Sequence, residues 1–108
     1  MLDPYSVVLE ALREDNRKTE DALLQACANW ILLHAEGTRH VRQFGAQVLH
    51  PKTGVPVANP WLRTIATAER AMFGKTMAKI KKDGAFAALE AAQRAAEKTG
   101  RDRGHDRA

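Results

Sequence analysis

Val48-Leu49-His50-Pro51-Lys52-Thr53-Gly54-Val55-Pro56-Val57-Ala58-Asn59-Pro60-Trp61-Leu62 separates two long helical patterns, and the fold follows from how it is read. Val48-Leu49-His50 and Val55-Pro56-Val57 are short β-prone runs on either side of Pro51-Lys52-Thr53-Gly54, a turn-forming cluster. Pro56 has no N–H, so the two runs can pair only as a minimal, edge-type ribbon. Asn59-Pro60 then announces a helix. The Asn side chain can accept from the free N–H groups of the first turn, and a proline at the first helical position gives up no internal bond.

Upstream of this elbow, Leu23, Cys27, Trp30, His34, Gly37, Val41 and Phe44 are spaced alternately four and three apart. That seam predicts a long helix from about residue 20 to the mid-forties. Leu24, Ile31 and Leu33 widen its apolar face. Gly37 costs about 1 kcal/mol relative to Ala, so the helix bends there or a neighbour packs close. A short first helix is expected from Asp3-Pro4, stopped by the charged run Glu14-Asp15-Asn16-Arg17-Lys18. Thr19, followed by Glu20 and Asp21, is positioned to cap the long helix.

Downstream, Leu62, Ile65, Ala66, Ala68, Met72, Phe73, Met77 and Ile80 predict a helix from Asn59-Pro60 to about Lys82. Asp83-Gly84 reads as a break, and an Ala-rich helix resumes at Ala85 with Phe86, Leu89, Ala92 and Ala96 on one side. Residues 99–108 read as a flexible, mixed-charge tail behind a single helical domain over residues 1–98. The expected architecture is all-α: a long helical hairpin with a short β-hairpin connector, plus a short N-terminal and a C-terminal helix.

A chain of 108 residues, 44% apolar and 28% charged, has room for one core. Its single cysteine, Cys27, excludes an intrachain disulfide and suits a reducing, cytoplasmic setting. No apolar run approaches the ~20 residues that span a bilayer, so no membrane partner is expected. A helix of ~25 residues is ~38 Å long, against a radius of gyration of ~13 Å for a compact chain of this size. Two such rods bury only one stripe each. Trp30, Ile31, Leu33 and Phe73 are therefore expected to meet a second copy, and the protein to be a homo-oligomer.

The net charge of +4 is uneven: residues 1–54 hold six Lys/Arg against seven Asp/Glu, and residues 55–108 hold eleven against six. A one-sided positive field favours a polyanion. Lys75, Lys79 and Lys82 fall at i, i+4 and i+7 of the expected third helix, with Lys81 beside them. These four are the candidate contacts to double-stranded DNA, of the kind that positions a duplex without reading it.

Nothing in the chain forms a catalytic constellation, a metal set or a cofactor site. Gly74-Lys75-Thr76 matches the end of a phosphate-binding loop, but Glu69 stands where its first glycine belongs and no strand precedes it. Cys27 and His34 lie seven residues apart, about 10 Å along a helix, too far for a thiolate–imidazole pair. His34 and His40 point to different faces, and Glu69 and Glu90 have no acidic companion to raise a pKa. An enzyme is not expected.

From Leu23-Leu24-Gln25-Ala26-Cys27-Ala28-Asn29-Trp30 through Val48 to Arg63, the chain resembles the small subunit of phage DNA-packaging terminases. The likeness covers roughly residues 20–84 and centres on Gly54, Pro56, Asn59 and Pro60 between two amphipathic helices. It implies a non-enzymatic subunit, working in the cytoplasm of a bacterial host, that forms rings by helical packing. Such a subunit engages viral DNA and recruits the large terminase subunit, an ATPase and nuclease. The chain departs from the family in two places. Gly84 leads into Ala85-Phe86-Ala87-Ala88 instead of a Gly-Leu-Thr-Pro-like exit. Fewer than twenty residues precede the long helix, too few for a separate helix-turn-helix domain. Weak, non-specific duplex binding is therefore expected, as in headful-packaging phages or phage-derived gene transfer particles. Arg101, Arg103 and Arg107 in the tail are the candidate docking residues for the large subunit. The competing reading is a small dimeric DNA-binding regulator whose first two helices form the reader.

Overall fold

The computed structural model describes residues 3–106, with side chains described through Lys98. Its elements in chain order are α1 (Pro4–Asp15), α2 (Asp21–Phe44), β1 (Gln47–Leu49), β2 (Pro56–Ala58), α3 (Trp61–Phe73) and α4 (Asp83–Asp106). The mostly helical class and the small antiparallel ribbon agree with the sequence reading. Two compact units emerge from the contacts: one combines α1, the start of α2 and α4, and the other is Asn29–Lys79.

In the first unit, Asp3 caps α1 by accepting from the Tyr5 N–H at 3.4 Å and from the Ser6 hydroxyl at 3.2 Å, and Pro4 opens the helix. Val8, Leu9 and Leu12 are buried along α1, which packs against α4, where Ala85 and Leu89 are buried one turn apart. Leu24, Cys27, Ala28 and Ile80 complete the buried apolar set. The charged run after α1 holds a residue whose role its neighbours conceal. Asn16 is 8% exposed, and its amide donates to the Leu12 carbonyl at 2.9 Å and to the Lys81 carbonyl at 2.9 Å. Its oxygen accepts from the Lys81 N–H at 2.8 Å. One side chain thus caps α1 and pairs with both polar groups of Lys81, across 65 positions of sequence.

Thr19 does not cap α2. Its own N–H closes a turn on the Asn16 carbonyl at 3.0 Å, and the Glu20 carbonyl accepts from Leu23 and Leu24 instead. Arg13 ties α1 to the first turn of α2, donating to both oxygens of Asp21 at 2.7 and 2.9 Å. The hydrogen bonds from Arg13, and then from Gln25, hold the Asp21 carboxyl below its ordinary range. A carboxyl lowered in this way stabilises the fold above its unfolded pKa and ceases to do so as pH falls through the folded value.

In the second unit, Gly37 solves a packing problem. A Cβ placed there would stand 2.8 Å from Ile65 Cγ1 and 3.2 Å from Trp61 Cε3. The bare backbone of α2 therefore admits two α3 side chains. The ribbon follows the expected runs displaced by one residue, with Gln47 opposite Ala58, Val48 opposite Val57 and Leu49 opposite Pro56. The bonds flanking it, Asn59 N–H to Ala46 O at 2.8 Å and His50 N–H to Val55 O at 2.9 Å, set the alternation. Leu49–Pro56 therefore falls at a non-hydrogen-bonded position, where the missing proline N–H would have faced outward. Gly54, at φ +69°, closes the loop by donating to the His50 carbonyl at 2.8 Å.

Two expectations are corrected. The third helix ends at Phe73, not Lys82; residues 74–80 run in turns, with Met77 and Ala78 donating to the Gly74 carbonyl. Gly74 disfavours helix, and burial of Met77 and Ile80 is met by turns, whose spacing a helical pattern mimics. The long helical hairpin thus has one long arm and one of thirteen residues. The α4 backbone is helical to Asp106.

Two substitutions probe this packing. Asn16→Ala strands buried partners on Leu12 and Lys81 and is expected to cost about 3 kcal/mol in urea unfolding. Gly37→Ala gains up to about 1 kcal/mol of helix propensity but meets the stem of Ile65, with an overpacking cost of about 1–3 kcal/mol. Thermal melts should therefore show a net loss of stability, in contrast to alanine at an exposed helical glycine.

Candidate nucleic-acid interface

The elbow is built around Asn59, which is 1% exposed. Its oxygen accepts from the Trp61 N–H at 3.0 Å, while its backbone carbonyl accepts from Leu62 at 3.0 Å, so Asn59 caps α3 as its sequence predicts. Its amide nitrogen donates backwards, to the Gly45 carbonyl at 2.9 Å and to His40 Nδ1 at 3.1 Å. These partners fix the chemistry. Gly45 O can only accept and Trp61 N–H can only donate, so the amide has one orientation. His40 Nδ1 must then be the bare nitrogen of the ring, with the proton on Nε2. The same imidazole lies 4.6 Å from the Phe44 ring and 5.8 Å from Trp61. The end of α2 and the start of α3 are thereby joined through one side-chain amide.

Farther along the same helix pair, His34 Nε2 lies 3.1 Å from Glu69 Oε1. The polar break in the α2 seam thus has a partner that spacing could not reveal, since it is 35 positions away. Cys27 is fully buried, and burial pushes its thiol above the ordinary range, opposed in part by the Lys82 charge. A protonated, enclosed thiol is a packing group rather than a nucleophile. Among the described residues, no group of three His, Cys, Asp or Glu side chains is placed to hold a metal ion. No described helix is long and apolar enough to cross a membrane.

The four lysines chosen from sequence do not form one strip. Lys75 and Lys79 are exposed in the turns after α3, and Lys81 is exposed just before α4. Lys82 is 6% exposed and its ammonium donates to the Ile80 carbonyl at 3.0 Å, so it is turned into the protein. The i, i+4, i+7 relation fails because no helix spans these positions.

Of the expected self-association residues, Leu33 and Phe73 are exposed, at 37% and 62%. Trp30 is half-buried. Ile31 is completely buried within the single chain. Sequence reasoning passed over Phe44, Leu49, Val55 and Leu62, which are exposed as well. The alternation of the ribbon was the available signal for Leu49. Arg101 and Arg103 fall on α4 where side chains lie outside the described residues, and Arg107 lies outside them entirely.

No family model matches the chain, and no curated protein or solved structure matches it either.

The elbow yields a direct test. Asn59→Asp keeps the acceptor for Trp61 but removes both donors and buries a carboxylate against the Gly45 carbonyl. It is expected to destabilise the protein by about 2–4 kcal/mol in chemical denaturation. Asn59→Ser, which retains a cap without the backward bonds, should lose less.

Proposed function

We propose that this protein is a small terminase-like adaptor of a DNA-packaging machine: a homo-oligomer, ring-shaped when assembled, that holds duplex DNA weakly and non-specifically and recruits the large ATPase-nuclease subunit. It acts without a reaction of its own, in the cytoplasm of a bacterial host. The observation that carries the reading is the elbow. A long amphipathic helix, a minimal ribbon and a helix capped by Asn59-Pro60 follow one another in the order on which the family resemblance rests.

Exposed apolar surface supports self-association. Leu33, Phe44, Leu49, Val55, Leu62 and Phe73 stand exposed, and all six belong to Asn29–Lys79. Large apolar groups gathered in one unit are more economically covered by a second copy than left in water. A ring also makes weak DNA contacts sufficient, because several phosphate contacts per assembly act together through multivalency.

Native mass spectrometry of the purified protein tests the assembly. A closed oligomer larger than a dimer is expected, and Leu33→Glu with Phe73→Glu should shift it towards monomer without unfolding it. A monomer at micromolar concentration, or a dimer that protects one defined site in footprinting, would overturn the adaptor reading.

A further inference from the structure

The two compact units divide the charge of the chain very unequally. Asn29–Lys79 carries seven Lys/Arg against two Asp/Glu, a formal +5, whereas the remainder carries ten against eleven, a formal −1. Along the sequence the positive excess falls in residues 55–108, whereas in the fold it falls in Asn29–Lys79. The excess belongs to the unit that contains the elbow.

Five of those seven cations lie outside the lysine cluster chosen from sequence: Arg39 and Arg42 on α2, Lys52 in the hairpin loop, and Arg63 and Arg70 on α3. All five are exposed, and none forms an ion pair among the described residues. Arg39 and Arg42 are three apart on one helix and therefore neighbours on its surface. Arg63 and Arg70 are seven apart and share a face of α3, about 10 Å from one another along its axis. One of the unit's two acids, Glu69, is already engaged with His34. The other, Glu36, is the only acid left to oppose the excess.

We infer that the phosphate backbone of duplex nucleic acid is held by the Asn29–Lys79 unit, chiefly through Arg39, Arg42, Lys52, Arg63 and Arg70, and not by a lysine strip at residues 75–82. The inference rests on the polyanion partner of the proposed function and relocates its contact surface. Arginine is well matched to phosphate, because its guanidinium stays charged at every working pH and presents a fork that meets two phosphate oxygens. A duplex carries one charge per ~1.7 Å of its axis, so each exposed cation can meet a phosphate on its own side of the unit.

Fluorescence anisotropy with the full chain and a short duplex of arbitrary sequence, titrated with salt, tests the inference. Replacing the five residues by Gln is expected to weaken binding at low salt by roughly a hundredfold. Each lost contact should flatten the slope of log K against log salt by about 0.9. Lys75→Gln, Lys79→Gln and Lys81→Gln together should change the slope less. The pairs Arg39→Gln with Arg42→Gln, and Arg63→Gln with Arg70→Gln, test the same point should the fivefold variant not fold, and each should flatten the slope. Unchanged binding in both pairs, with loss in the lysine variant, would overturn the inference while leaving DNA binding intact. Absence of any salt-dependent duplex binding by the wild type would overturn both, as would polyglutamate binding in place of the duplex, which would mark an acidic protein partner.

Discussion

One buried amide governs the middle of this molecule. Asn59 is enclosed, and a buried amide is tolerable only when its donors and acceptor are used. Its oxygen takes the first free N–H of α3, and its nitrogen serves the Gly45 carbonyl at the end of α2 and the bare nitrogen of His40. Two helices, α2 and α3, are thereby tied together by a single side chain. The ribbon adds little stability of its own, with three residues in each strand. It is positioned because the Asn59 N–H also bonds the Ala46 carbonyl, closing the base of the hairpin. Gly37 completes the arrangement by letting Ile65 and Trp61 reach the α2 backbone.

The other unit uses the same device at longer range. Asn16 closes α1 and pairs with the backbone of Lys81, so the turns before α4 are registered against the end of α1. An amide can do this because it offers donor and acceptor side by side, matching the N–H and C=O of one residue. Both asparagines sit at helix ends, where backbone groups lack partners within the helix. Local capping and long-range attachment are thus combined in one side chain, and each unit has its own instance.

The division of charge gives the architecture a functional sense. Any partner of the chain must meet either a nearly neutral unit or a strongly cationic one, and the cationic one also carries the exposed apolar side chains. Charge and exposed apolar surface in a single unit agree with the proposed adaptor, which would both assemble and hold a polyanion. Lys82 lies outside this surface: it is buried, and with its amine on the Ile80 carbonyl it serves the fold.

By itself the sequence determined what local chemistry can specify. The Asp3-Pro4 and Asn59-Pro60 helix starts, the long α2 and the ribbon around Pro51–Gly54 were legible because caps, apolar spacing and turn residues act over a few positions. Tertiary structure decided the rest. Met77 and Ile80 keep helical spacing yet sit in turns, because burial constrains where a side chain goes and not the hydrogen bonds its backbone makes on the way. Asn16 among charges and Lys82 among lysines gave no sign of being buried, since their partners are set by packing between distant segments. The positive unit became visible only when contacts, not sequence position, defined its boundary.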